Sequence, residues 1–530
     1  MEAMYAAIEH ASEASMKRVG YSLAIGLAST IASCDPDQGR LTEPVTAIPT
    51  MQIVPAGSDG AWMELTPVGG PSGPIVGRQP AGVGYDGANN RLVVFFASNQ
   101  AIGNPPPEVW VLTNANGLGG TPTWIQLFPV GGPPTTNGNM SATYDAAANR
   151  LTVYGGCYAN CSPALADVWV LSNANGLGGT PAWSQSIVTN PQARAGPMAV
   201  YDQANNVLIA FGGGLAFYGT DQNDTRILSN ANGLASPSTW STLAPLGTLP
   251  DRRVTGSAAY DVANNRLIVY GGSQLVSCCP NNIVDYNDTW VLSDANGLGG
   301  TPAWTQLVPS GTAPPPTNNH SMVYDAGNNR ILVLGGSTWS NATQSSAIQG
   351  DLWELSDANG LSGTPVWRQL SPGGTPPGPN YSHAAVYDAV HNRMIVFGGA
   401  DGSFQVHTRV WVLVFVQTVS IDIKPGSDPN SINPRSRGTI PVAILSTADF
   451  DAPTEVERAS LTFGRTGDEQ SLAFCNSSPE DVNLDGMLDL VCHFTTQLTG
   501  FQSGDTEGIL RGETVGGMPI EGRDAARVVS

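Results

Sequence analysis

Charged side chains are sparse in this sequence. Asp, Glu, Lys and Arg make up 12% of the 530 residues, and 23 basic residues stand against 43 acidic ones, for a formal net charge of -20. Phosphate binding needs a basic footprint, so nucleic acid is excluded as a partner, and the acidity serves mainly solubility. Long apolar runs are missing too. The uncharged stretch from Val19 to Ser33 is fifteen residues, short of the roughly 20 that a membrane-spanning helix requires. There is no phosphate loop, no nucleophile elbow and no HExxH pair, so no catalytic design readable from those motifs is present. No C-x-x-C pair is matched by a second one, which argues against a zinc site.

Glycine and proline are plentiful instead, at 62 and 40 residues, which points to many short strands and turns rather than long helices. A chain of 530 residues is too long for one ordinary core, so it holds several domains or a repeat. Self-similarity identifies a repeat. Six units are anchored at "YDGANNRLVVFFAS" (85), "YDAAANRLTVYGG" (144), "YDQANNVLIAFGG" (201), "YDVANNRLIVYGG" (260), "YDAGNNRILVLGG" (324) and "YDAVHNRMIVFGG" (387), with tyrosines 59, 57, 59, 64 and 63 residues apart. Each unit runs on through a loop to an apolar stretch such as "DVWVL", then a loop such as "NANGLGG", then a stretch opening on tryptophan. That reads as four strands of four to seven residues. The third strand holds Trp110, Trp169, Ile227, Trp290, Trp353 or Trp411, and the fourth opens on Trp124, Trp183, Trp240, Trp304 or Trp367. The sixth unit lacks a fourth strand, and Trp62 in "AWMELTP" supplies it, so the N-terminal strand closes a ring and removes its open edges.

A period of about 60 residues, a Gly-Gly doublet ending the second strand and a Trp opening the fourth resemble the kelch repeat, and six units resemble a kelch β-propeller. The resemblance covers residues 60 to 415 and implies an all-β, six-bladed propeller. Unit one departs from it with Phe96-Ala97-Ser98 in place of the doublet, and unit three with Ile227 in place of Trp. In a four-stranded meander the one-two and three-four loops share a face. "YDxxNNR" and "NANGLGG" therefore lie together, with Asn and Gly supplying positive-φ turn positions. The second loop also resembles the Asp-box of sialidase-type propellers, a folding element, with extra residues before the Trp and Ala where the Asp should be, so the repeated loop reads as a structural turn, with weak calcium or ligand binding as the alternative. The other face carries the loops that differ between units, and specificity is expected there.

Seven residues before each repeated Tyr stand Arg78, Asn137, Arg194, Arg253, Thr317 and Asn380, expected to ring the mouth of the central channel. Three guanidiniums there would suit a carboxylate, sulfate or polyhydroxylated ligand, while inter-blade bridging is the alternative. His320 and His383 share a register three residues further on. Copper binding, as in galactose-oxidase-like kelch enzymes, would need tyrosine and Cys-Tyr partners that cannot be assigned here. Trp339, Tyr218, Tyr286, Tyr381 and Phe404 offer flat surfaces for sugars or peptide side chains.

From Met16 the chain reads "MKRVGYSLAIGLASTIASC", with Lys17 and Arg18 ahead of the apolar run and Cys34 behind it. This is the pattern of a secretory signal. Ile31-Ala32-Ser33-Cys34 resembles a bacterial lipobox, which implies a lipidated Cys34; a plain cleaved signal is the alternative. Glu2, Glu9 and Glu13 are odd for a basic signal start and favour Met16 as initiator. The other six cysteines form the local pairs Cys157/Cys161, Cys278/Cys279 and Cys475/Cys492, read as disulfides of an oxidising compartment. Their connectivity is open, since Cys278 and Cys279 bond each other or reach the Cys157/Cys161 loop.

From about Val419 the periodicity stops. "VSIDIKPGSDPNSINPRSRGTIPVAILSTADFD" and the terminal "GDTEGILRGETVGGMPIEGRDAARVV" resemble a β-rich C-terminal module of exported bacterial and archaeal proteins, which implies a small β-sandwich-like fold. Its "DVNLDGMLDL" puts Asp481, Asn483, Asp485 and Asp489 at alternate positions around Gly486, the pattern of an EF-hand-like Ca²⁺ loop. The closing ligand position falls on Cys492, so either the site is incomplete or a distant acid such as Glu480 or Asp505 contributes.

The expected organisation is a lipoprotein signal over 1–34, a flexible linker over 35–58, the propeller over 59–417 and the module over 418–530. The expected function is binding of a protein or glycan at the cell surface by a monomeric protein held to the membrane through a lipid anchor only. A carbohydrate-active enzyme of oxidase, epimerase or lyase type, using the same face, and a purely structural surface protein are the alternatives.

Overall fold

The computed structural model describes residues 59–71, 80–97, 106–134, 138–157, 163–215, 220–277, 281–403, 405–448 and 450–529. These belong to one compact unit. The signal, Cys34 and the linker lie outside the described residues.

Six antiparallel sheets follow one another along the chain, each a four-stranded meander. Their inner strands are Pro80–Asp86, Met140–Asp145, Met198–Asp202, Ser257–Asp261, Ser321–Asp325 and Ala384–Asp388. Each inner strand neighbours the next, and the sixth neighbours the first, so the ring is closed. The second strands carry the continuous apolar runs because both their faces are covered; Val207–Phe211 and Arg393–Phe397 are buried throughout. Every blade junction has its own hydrophobic cluster, six in all.

The repeated aromatics make these junctions. The Trp of an outer strand packs on the aromatic residue at or next to the end of the second strand of the preceding blade: Trp183 on Phe95, Trp240 on Tyr154, Trp304 on Phe211, Trp367 on Tyr270 and Trp124 on Phe397, with centroids 4.6–5.3 Å apart. These separations lie within the range in which aromatic pairs add to plain area burial.

Ring closure is as expected. Ala61–Leu65 pairs antiparallel with Val410–Val414, the third strand of blade six, with Trp62 opposite Leu413. A second device was not legible in the repeat. The chain leaving each outer strand runs parallel to the outer strand of the next blade, through Val68 to Thr123, Val130 to Ala182, Val188 to Ser238, Leu246 to Ala303, Ser310 to Val366 and Gly373 to Ala61. These straps cover part of each exposed blade edge.

Blade five departs from the expected strand length. Its second and third strands, Arg330–Ser340 and Ser345–Ser356, rise beyond the blade as a long hairpin. Blade four sends up a smaller hairpin, Ser273–Ser277 with Asn282–Asp285.

The C-terminal module is a sandwich of two four-stranded sheets. One contains Val456–Gly464, Glu507–Thr514 and Pro519–Ala525; the other contains Thr439–Ile444 and Leu490–Thr495. Ile423, Val442, Phe463, Phe494, Leu510 and Ile520 are core residues drawn from both sheets.

Candidate functional site

The two repeated loops form a clasp between blades. The second Asn of each Asn/Asp-Ala-Asn-Gly turn donates its amide to the Asp of the preceding blade's Tyr-Asp pair: Asn175 to Asp86, Asn232 to Asp145, Asn296 to Asp202, Asn359 to Asp261 and Asn116 to Asp388, at 2.6–3.0 Å. All ten side chains are buried. Arg91, Arg150, Arg266 and Arg393 reach the same way, donating to the backbone oxygen of that Asn in the following blade. Blade six has no such turn, so Asp325 instead accepts from Arg330 of its own blade. Positive φ falls on the first residue and the Gly of the turn, as at Asp294 (φ 49) and Gly297 (φ 71). The buried second Asn is not among the positive-φ residues; it acts through its side-chain amide and through its backbone, whose N–H donates to the Asn of the Tyr-Asp loop of its own blade, as from Asn296 to Asn265.

The expected ring of polar residues serves a second clasp. Arg194, Arg253, Thr317 and Asn380 accept, on their backbone oxygens, the N–H of the second glycine of the preceding blade's doublet. Arg194 Nη2 donates to both oxygens of Asp224 at 2.8 Å, and Arg253 is bidentate to Asp288 through Nη1 and Nη2 and lies over the Tyr286 ring. Both guanidiniums are buried beside a carboxylate of their own blade, so they do not present free charge at a channel mouth. The Thr317 hydroxyl and Asn380 amide bond to backbone carbonyls. Arg78 and Asn137 lie outside the described residues.

His320 and His383 are buried immediately before the inner strands of blades five and six. Burial, with His383 nearby, pushes His320 down to about 3, and burial pushes His383 down to about 4. Both imidazoles are neutral at physiological pH. His383 Nε2 lies 2.8 Å from the Ser321 hydroxyl of blade five.

The variable loops hold one another. Asp221 of blade three accepts the Leu275 N–H of the blade-four hairpin at 3.0 Å. Asp285 of that hairpin accepts the Trp339 N–H at 2.5 Å and the Asn318 amide at 2.8 Å from blade five. Asn341 pairs with both backbone groups of Ile283, and Gln344 with both of Asn281. Burial raises both carboxyls above the usual carboxylate range, the hydrogen bonds offsetting part of the shift. Trp339 is half-buried on the wall formed by these hairpins, its indole N–H on Asn341, and Tyr286 and Tyr381 are half-buried on the same set of loops. Tyr218 and Phe404 lie outside the described residues. The sequence marked Trp339 as the one tryptophan off the repeat but carried no signal for the hairpin pairing, which depends on amide and carboxylate contacts between loops about 60 residues apart.

In the module, Cys475 and Cys492 are disulfide-bonded across paired strands and bracket the acidic loop. Cys157 is buried and disulfide-bonded; Cys161, Cys278 and Cys279 lie outside the described residues. Asp481 accepts the N–H groups of Asp485 and Gly486, and Asn483 donates to Asp485. Asp489 departs from its expected place among the ligands: it is buried, and its two oxygens accept the Ser446 and Val482 N–H groups. Asp481, Asn483 and Asp485 remain as an exposed set on one turn. No group of three or more His, Cys, Asp or Glu side chains among the described residues is arranged to hold a metal ion.

Closed ring, repeat and clasps define a kelch-type β-propeller protein. No family model matches the sequence. Host cell factor 1 of Homo sapiens is 31% identical over 220 residues, covering 38% of this chain and 10% of that protein. Host cell factor 1 of Mus musculus matches with the same identity and coverage. The chain thus spans about a tenth of the length of these curated relatives. The solved structure of YjhT is similar at a TM-score of 0.45 and 11% identity, over 66% of this chain and 96% of that one.

Proposed function

We propose that this chain is an exported, envelope-anchored binding protein that takes a protein or glycan ligand on the face built by its variable loops. One observation supports the reading best. The polar side chains of the repeated loops are consumed in holding blade to blade, whereas the loops of blades three, four and five differ from one another and are braced into a raised wall bearing Trp339. A scaffold that repeats one face and builds up the other places specificity on the second. A glycan array probed with the purified protein tests this: a hit lost on Trp339→Ala supports it, and a hit that survives changes throughout the variable loops overturns it. Turnover of the hit would replace binding by the carbohydrate-active enzyme.

Anchoring rests on Cys34. Cys34→Ala is expected to abolish labelling by a palmitate analogue and to release the protein from membranes, whereas a plain secretory signal leaves both unchanged.

Calcium at the module's acidic loop is the third part of the proposal, with Asp481, Asn483 and Asp485 as ligands and Asp489 as the strut that holds the loop to Ser446. Ca²⁺ would bind the folded loop and not the unfolded chain, so it should raise the melting temperature. Asp481→Ala with Asp485→Ala should remove that increment; an increment that survives the double change rules the site out.

A further inference from the structure

Blade six is assembled from two segments far apart in the chain, and the module begins where its missing turn would be. In the other blades the third strand turns back through the Asn-rich loop into the fourth. In blade six, Val410–Val414 continues through Phe415 and Val416 directly into Gln417–Thr418, which pairs parallel with Ile520 and Glu521 of the module. The Phe415 ring lies 4.2 Å from the Arg330 guanidinium and belongs to the core between blades five and six. On the other side of blade six, the module turn that follows Glu507–Thr514 lies over the junction with blade one.

Repeat symmetry shows what that turn does, because equivalent positions elsewhere are uncovered. Arg393 of blade six is 0% exposed, while its counterparts Arg91, Arg150 and Arg266 are partly exposed. Its Nη1 donates to the Asn116 carbonyl of blade one at 2.9 Å, and its Nη2 to the Gly517 carbonyl of the module at 3.4 Å. Glu513 acts electrostatically on the same guanidinium. A Cβ added at Gly517 would stand 3.1 Å from Leu118 of blade one and 3.9 Å from His391 of blade six. Leu118 is half-buried there, while the equivalent Leu177, Leu234, Leu298 and Leu361 are 37%, 63%, 61% and 52% exposed.

We propose that the C-terminal module is a second lock on the ring: its Glu513–Met518 turn bridges blades six and one and holds shut the blade that the two distant segments complete. The closing strand resists opening at one edge through its pairing with Val410–Val414, and the module fixes the position of that partner strand relative to blade one. The module's role is thereby intramolecular, independent of any ligand of the variable face.

The repeat supplies the control for the test. In the full chain, Leu118→Lys is expected to speed amide exchange in Ala61–Leu65 by about tenfold, while Leu298→Lys, at the same position of an uncovered loop, leaves it unchanged. Glu513→Gln, which alters only the module side, should move exchange in the same direction and carries the decision if Leu118→Lys fails to fold. Equal effects of the two lysine substitutions, or closing-strand exchange that neither Leu118→Lys nor Glu513→Gln accelerates, overturns the proposal.

Discussion

A chain lacking residues 36–66 is expected to lose its monomeric state and aggregate. The deletion removes the fourth strand of blade six and leaves Val410–Val414 as a five-residue edge with unpaired N–H and C=O groups, a template for pairing with another chain. It also strips two cores at once: Trp62, 5% exposed, belongs to the cluster between blades five and six, and Leu65, 8% exposed, to the cluster between six and one. Asp59 is lost as well, with its ion pair to Arg368 and its bond from the Ser371 N–H. The milder Trp62→Ala should lower stability by about 3–5 kcal/mol, the range for truncating a buried aromatic. Size-exclusion chromatography and urea unfolding read both changes. A deletion mutant that stays monomeric with unchanged melting rules out closure by this strand.

The second large effect is expected at Asn296. Asp202 is 1% exposed and accepts from Asn296, Asn205 and Tyr260. Burial alone would raise its pKa, but these hydrogen bonds outweigh burial and hold the carboxyl below its ordinary value. Asn296→Ala leaves a buried carboxylate short of a donor, at a cost of about 3 kcal/mol. Because the folded pKa is the lower one, the stabilisation is present above the ordinary carboxylate pKa and is lost as pH falls through the folded value. The variant should therefore lose stability at neutral pH and show a shallower decline on acidification. Gly297→Ala acts by another route, forcing a β-carbon onto a residue at φ 71, and should cost less without altering the acid response. Neither change should touch calcium-dependent melting. Equal pH profiles for Asn296→Ala and the parent would remove the charged hydrogen bond from this account.

Much of the architecture was legible because the repeat is a packing rule written six times. Tyr-Asp, the Gly-Gly doublet and the outer-strand Trp recur because five junctions share the same carboxylate clasp and the same aromatic contact, and four the same close approach of backbones at the doublet. The residues that looked most like a site read less well. Arg194 and Arg253 carry a charge in the sequence, and whether that charge is free depends on Asp224 and Asp288, 30 and 35 residues on.

Composition, period and loop chemistry determined by themselves an all-β chain of six four-stranded units closed by Trp62, with a non-repeating tail; kelch-type blades and a β-rich module were what the family resemblances implied. Those properties follow from local strand and turn preferences and from a pattern that repeats in register. Tertiary structure decided the rest: that the second Asn of the repeated turn clamps the previous blade's Asp, that Asp489 is a strut, that blades four and five raise paired hairpins, and that the module sits on the blade six–one seam. Each depends on which groups face one another across long stretches of chain, and a side chain's chemistry is set by the partner that geometry delivers to it.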